Sequence, residues 1–115
     1  MDLRKLFYGN EEKNVFLLGD LILEEYIYGT VTGFSSNGPI PVVAAQERVI
    51  YPGSAGYAAL QLKNLGFNVY LCGIIGHDAA GEELLRILKN KNINTDNIIR
   101  QDNYATAKQT HICVQ

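Results

Sequence analysis

Four consecutive apolar residues, Val15-Phe16-Leu17-Leu18, run into Gly19-Asp20. A short unalternating apolar run closed by a turn signal predicts a strand buried on both faces, as in a parallel sheet covered by helices. Leu21 to Tyr28 either extends that strand or forms a second one, and Tyr26-Ile27-Tyr28 favours β structure. Gly29 to Pro41 holds three glycines and two prolines around Ser35-Ser36-Asn37-Gly38-Pro39, which predicts a loop or hairpin connection. Val42-Val43 and Glu47-Arg48-Val49-Ile50-Tyr51 then read as short strands whose alternation is too imperfect to set their pairing order.

Pro52-Gly53-Ser54 is expected to end this β region and open a helix, with Ser54 as N-cap. Ala55, Ala58, Ala59, Leu62 and Leu65 recur at helical spacing, and Gly66 follows as the C-terminal glycine. Val69-Tyr70-Leu71-Cys72 predicts the next buried strand, continuing to Gly76. Asp78 can cap a second helix carrying Leu84, Leu85, Ile87 and Leu88 and ending in Lys89-Asn90-Lys91-Asn92. Ile93 with Ile98-Ile99, and then Thr110 to Val114, predict two further strands. The order strand, β-rich excursion, helix, strand, helix, strand gives, with right-handed crossovers, a three-layer α/β domain on a parallel sheet. Residues 26–51 form a β excursion outside that core, and 52–115 form its αβαβ segment. The first fourteen residues are mixed and polar.

Composition narrows the partners. The chain has 115 residues, one domain's worth, with 47% hydrophobic and 19% charged residues, so a folded core is expected and disorder is not. The formal net charge of -2 provides no basic field for nucleic acid or an anionic membrane. No apolar run reaches the length of a membrane span, and the start, Met1-Asp2-Leu3-Arg4-Lys5, lacks the pattern of a signal peptide. Cys72 and Cys113 are far apart and lie in strand-like stretches, which predicts buried reduced thiols, no zinc site and a cytoplasmic protein.

In an open parallel sheet, ligands bind beyond the carboxyl ends of the strands. Two features fall there: Gly19-Asp20 after the first strand, and Gly53-Ser54-Ala55-Gly56 at the first helix start. The helix start offers free N–H groups, small residues allow close approach, and a carboxylate accepts hydrogen bonds from a polyhydroxylated ligand. Gly73-Ile74-Ile75-Gly76-His77-Asp78-Ala79-Ala80-Gly81 does not have dinucleotide spacing, and no Walker pattern occurs. His77 reads as a polar turn residue. The tyrosines at 26, 28, 51, 57 and 70 read mostly as strand residues packing a sheet face.

Gly19-Asp20, Tyr26-x-Tyr28-Gly29, Ser35 to Val43, Pro52-Gly53-Ser54-Ala55-Gly56, Leu65-Gly66-x-x-Val69, Gly73-x-x-Gly76-x-Asp78-x-x-Gly81 and Thr110-His111-Ile112 occur in a familiar order. Together, over roughly residues 15 to 114, they resemble the N-terminal part of PfkB or ribokinase-like carbohydrate kinases. The Ser-x-x-x-Pro-x-Pro-Val stretch is most similar to the heptose-phosphate kinase branch. The resemblance implies a three-layer, ribokinase-like α/β fold with a small β lid over residues 26–51. It also implies sugar hydroxyls on Asp20, the sugar lying against the helix start at Gly53-Ser54, and transfer of the ATP γ-phosphate to a sugar hydroxyl with magnesium. Glu24, Tyr57 and His111 join the implied substrate site at positions where the family has aspartate, asparagine and, in the heptose branch, arginine. Ser54 replaces the second of two adjacent family glycines, and His77 a frequent acidic residue. The family's catalytic Gly-x-Gly-Asp motif and ATP pocket are not located here, so no catalytic or metal residue is assigned. The expectation is the sugar-binding and lid portion of such a kinase, inactive by itself, with a homodimer through the lid. A non-catalytic binding or dimerisation module derived from one is the alternative.

Overall fold

The computed structural model describes Lys5, Gly9 and residues 12–115, so the expectation of a mixed polar opening lies largely outside the described residues. The chain forms β1 (Asn14–Leu18), β2 (Leu21–Phe34), β3 (Pro41–Ser54), α1 (Ala55–Asn64), β4 (Asn68–Gly76), α2 (Ala79–Asn90), β5 (Ile98–Gln101) and β6 (Ala107–Val114). These strands build two three-stranded sheets, β1-β4-β5 and β3-β2-β6. The first is wholly parallel, with Phe16 opposite Tyr70 and Ile74 opposite Ile99. In the second, β2 pairs antiparallel with β3 and parallel with β6.

The parallel sheet advances in one direction from β1 to β5, so right-handed crossovers place both helices on the same face. Alternation along β4 aims Leu71 and Ile75 at that face, where they meet Ala59 of α1 and Leu84 and Leu88 of α2 in the core. Leu21 and Leu23 at the start of β2 extend the core into the second sheet. The opposite face of the parallel sheet carries Phe16, Leu18, Tyr70, Ile74 and Ile99, all exposed among the described residues. The described residues thus contribute the sheet and one helical layer of the α/β fold.

Several boundaries differ from the sequence expectation. The stretch from Gly29 to Phe34 is strand, not loop, and only 35–40 connect the long hairpin. Register shifts after Tyr28 and Val31 absorb its irregular pattern, which is why simple alternation failed there. Strand β3 also runs on through Pro52-Gly53-Ser54 instead of ending before it. Asp78 caps α2 as expected, its Oδ1 accepting from the Gly81 N–H at 2.8 Å. Cys72 and Cys113 are free but only partly buried.

Candidate functional site

The hairpin sheet has two chemically distinct faces, set by the two-residue repeat of its strands. Glu24 lies opposite Tyr51 on β3 and Gln109 on β6, and Tyr26 lies opposite Val49 and His111, so these residues share one face. Tyr26 stacks on His111 with ring centres 4.5 Å apart and meets Tyr51 edge-on at 5.8 Å. The Tyr26 hydroxyl donates to Glu24 Oε2 at 3.3 Å. Burial, followed by the neighbouring Glu24 carboxylate, pushes the Tyr26 phenol above its ordinary pKa, so it stays a neutral donor.

This face and the start of α1 enclose a cleft of about 390 Å³, lined by Glu24, Tyr26, Tyr51, Gly53, Ser54 and Tyr57, with Pro52 in its wall. Gly53 is what lets Glu24 reach into it. A Cβ at position 53 would stand 2.5 Å from Glu24 Oε1 and 2.7 Å from its Cγ. Ser54 occupies the N-cap position, but its hydroxyl makes no capping bond, which leaves the hydroxyl for the cleft. Its φ of 50° and ψ of -121° lie in a region that favours glycine, at a cost of about 1–3 kcal/mol for a residue with a side chain.

The other face of the same sheet gathers the charges that the cleft lacks. The Glu25 carboxylate is buried and accepts from Thr110 Oγ1 at 2.9 Å, pairs with Lys108 Nζ at 2.8 Å, and pairs with Arg48 Nε. The hydrogen bonds from Lys108, Arg48 and Thr110, in that order, hold its pKa down to about 2 against the opposing effect of burial. All three strands of the sheet are thereby tied by one carboxylate. A second carboxylate anchors the approach to β6: Asp78 Oδ2 accepts from the Thr106 N–H at 2.8 Å, and Thr106 Oγ1 in turn accepts from the Gly76 N–H at 2.8 Å. Bonds from Thr106 and then Gly81 hold the Asp78 carboxyl below its ordinary range.

Of the residues expected at the site, Glu24, Gly53, Ser54 and Tyr57 line one cleft. His111 stands behind it as the stacking partner of Tyr26. Asp20 follows β1 and is exposed; its carbonyl accepts from the Ala55 N–H at 3.1 Å, placing it beside the helix start but outside the cleft lining. Sequence reasoning missed Tyr26, Tyr51 and Pro52 as lining residues, because the β2–β3 register that sets Tyr51 against Glu24 was not readable from an irregular alternation. Tyr57 lies in the first turn of α1. His77 is a surface residue 3.4 Å from Asp102, away from the cleft. Among the described residues no three His, Cys, Asp or Glu side chains cluster to hold a metal ion, and no helix is long and apolar enough to cross a membrane.

Residues 13–115 match the profile of the family described as pfkB family carbohydrate kinase. The chain belongs to that family. Among curated PfkB-family relatives, the bifunctional protein HldE of Helicobacter pylori strain P12 is 34% identical over 103 residues, which is 90% of this chain and 22% of the relative. The HldE of Sulfurimonas denitrificans is 31% identical over 98 residues, 85% of this chain and 20% of the relative. This chain therefore spans about a fifth of the curated relatives it matches. The ribokinase of Arabidopsis thaliana, solved with ribose and ATP, shares the fold at a TM-score of 0.69 and 15% identity, over 89% of this chain and 32% of the other. The fructokinase of Halothermothrix orenii matches at a TM-score of 0.62 and 26% identity, over 86% of this chain and 33% of the other. The ribokinase-like α/β fold read from motif order is thus the fold of this PfkB chain.

Proposed function

We propose that this chain forms the sugar-binding wall and lid of an ATP-dependent carbohydrate kinase, which transfers the γ-phosphate of ATP to a hydroxyl of a sugar or sugar phosphate. The observation that carries this reading is the cleft itself, where Glu24, Gly53, Ser54 and Tyr57 meet across β2, β3 and α1. Carboxylate and hydroxyl groups in such a cleft suit the hydroxyls of a polyol, and aromatic rings suit its C–H faces. Asp20, at the end of β1 and beside the start of α1, takes a further sugar hydroxyl at the rim, and His111 fixes the ring of Tyr26. The HldE relatives and the Ser35 to Val43 stretch support a heptose-type sugar.

ATP and magnesium are the co-substrate and metal of this proposed reaction. The described residues contain no cluster of three His, Cys, Asp or Glu side chains and no Walker phosphate loop, and no role toward ATP or magnesium is assigned to them. What these residues do is bind and orient the acceptor sugar, in the cytoplasm. Calorimetric titration of the chain with a panel of aldoses, ketoses and their phosphates tests the reading. At least one sugar is expected to bind, and Glu24→Ala is expected to weaken it roughly tenfold or more, as loss of a hydrogen bond to a charged group does. Binding of no sugar in a broad panel, or unchanged affinity in the variant, would sink the reading.

The same proposal includes a homodimer through the lid, residues 26–51. Val31, Phe34, Ile40 and Val42 at its far end are exposed, and such apolar side chains suit contact with a second copy. Sedimentation analysis is expected to find a dimer that Phe34→Asp converts to monomer. A wild-type monomer at high micromolar concentration would contradict it.

A further inference from the structure

Strand β6 carries little in its own sequence that fixes which way it faces. It is an edge strand of the hairpin sheet, paired with β2 alone among the described residues, and none of its residues is buried. Register is strongly specified where one face of a strand is buried and weakly where both faces are polar. Ala107-Lys108-Gln109-Thr110 is a stretch of the second kind. Asp78 holds the Thr106 N–H just ahead of the strand, but an anchor there does not decide which side chain first turns to either face, since one bulged residue can intervene. Facing β6 is the buried Glu25 carboxylate, whose two oxygens divide between the neighbouring strands. Its Oε1 pairs with Arg48 Nε from β3, and its Oε2 takes Lys108 Nζ at 2.8 Å and Thr110 Oγ1 at 2.9 Å from β6. Lys108 and Thr110 stand two residues apart, the spacing of one strand face. A slip of one residue would turn both away and leave the buried carboxylate without its β6 cation, a costly state.

We propose that Glu25 is a positioning residue: its hold on Lys108 and Thr110 selects the register of β6 and thereby sets His111 against Tyr26 in the wall of the cleft. The inference goes beyond the sugar reading, since it concerns how that wall is assembled and holds for any ligand. In the selected register Gln109 lies opposite Glu24, and His111 lies opposite Tyr26 and stacks on it. With β6 slipped by one residue, His111 leaves that face and Tyr26 loses its stacking partner. Buried ion clusters seldom add net stability over a neutral set, and selecting a register is their best-attested use. The N-terminal end of α2 brings two further carboxylates, Asp78 and Glu83, to the hollow that Arg48 and Lys108 line. Glu83 is paired with Arg86 at 2.7 Å and Asp78 accepts from Gly81 and Thr106, so neither draws the two cations from Glu25.

Proton NMR of the histidine rings in the full chain tests this without any ligand, at about pH 8, where imidazoles carry no charge. The stacked Tyr26 ring is expected to shift the His111 ring protons upfield. His77→Gln assigns the signal, and Tyr26→Leu gives its unstacked position. The decisive variant combines Glu25→Gln, Arg48→Gln and Lys108→Gln. It leaves no buried unpaired charge, so its urea midpoint is expected to stay close to that of the wild type. It also makes positions 108 and 109 alike, so β6 loses its preferred side, and the upfield shift of His111 is expected to be lost. The charge-reversed set, Glu25→Lys with Arg48→Glu and Lys108→Glu, is expected to regain the shift. A folded neutral variant that keeps the shift would overturn the inference, as would a folded charge-reversed set that stays unstacked. A neutral variant that no longer folds would make Glu25 a stabilising group only and would overturn it too. Each of these failures leaves the sugar reading standing, because no sugar enters the measurement.

Discussion

Gly76→Ala is expected to destabilise the fold by about 3 kcal/mol, at the upper end of what overpacking a close contact costs. Gly76 ends β4, and a Cβ there would collide with the backbone carbonyl oxygen of Tyr104. That oxygen belongs to the main chain leading into β6, so it cannot swing aside as a side-chain tip would. The same junction is braced by the Gly76 N–H on Thr106 Oγ1 and by Asp78 on the Thr106 N–H. Moving the 104–106 segment strains these bonds and loosens the pairing of β6 with β2. Urea denaturation with a two-state fit reads the change, which should appear in the midpoint with the slope unchanged. A loss under 1 kcal/mol would show that the 104–106 segment yields easily and that the junction is not a rigid one.

Gly53→Ala is expected to do the opposite: little to the fold and much to the site. The three atoms that a Cβ at 53 would meet first all belong to the Glu24 side chain, its Cγ included, so that side chain must turn out of the cleft as a whole rather than any backbone moving. The stability change should stay under about 1 kcal/mol, within the range of substitutions that spare the core. Sugar affinity should fall about tenfold to a hundredfold, the loss of one or two hydrogen bonds to a charged group. Measuring unfolding and sugar titration on the same preparation separates the two effects. Equal affinity in wild type and Gly53→Ala would mean that Glu24 does not engage the ligand from its observed position.

The contrast between these glycines measures how much of the molecule was legible beforehand. Both belong to motifs that marked the family, Pro52-Gly53-Ser54-Ala55-Gly56 and Gly73-x-x-Gly76-x-Asp78-x-x-Gly81. Motif order identified the family without saying why each glycine is there. The first motif sits at the cleft. The second is a structural junction, where Gly76, Asp78 and Thr106 bind one another and a Cβ on Gly81 would press within 2.7 Å of the Gly76 carbonyl oxygen. Tyr51 shows the limit in another way. It carries no motif signal, and only its register opposite Glu24 brings it to the cleft.

The sequence by itself determined the α/β class, helices α1 and α2 and the positions of β1 and β4, because hydrophobic period and capping residues act over a few neighbouring positions. It also determined the family, since the order of several weak local motifs is itself a strong signal. The expected burial of β1 on both faces is corrected by the structure: among the described residues the parallel sheet has its helices on one face, with Phe16, Leu18 and Tyr70 exposed on the other. Only the tertiary structure decided the length of the hairpin, because Gly29 to Phe34 is held as strand by pairing with β3 despite its turn-like composition. It also decided which side of the lid each charge takes. A one-residue change of register would move Arg48 and Lys108 to the cleft and Glu24 away from it, and that register is set by pairing between strands distant in sequence.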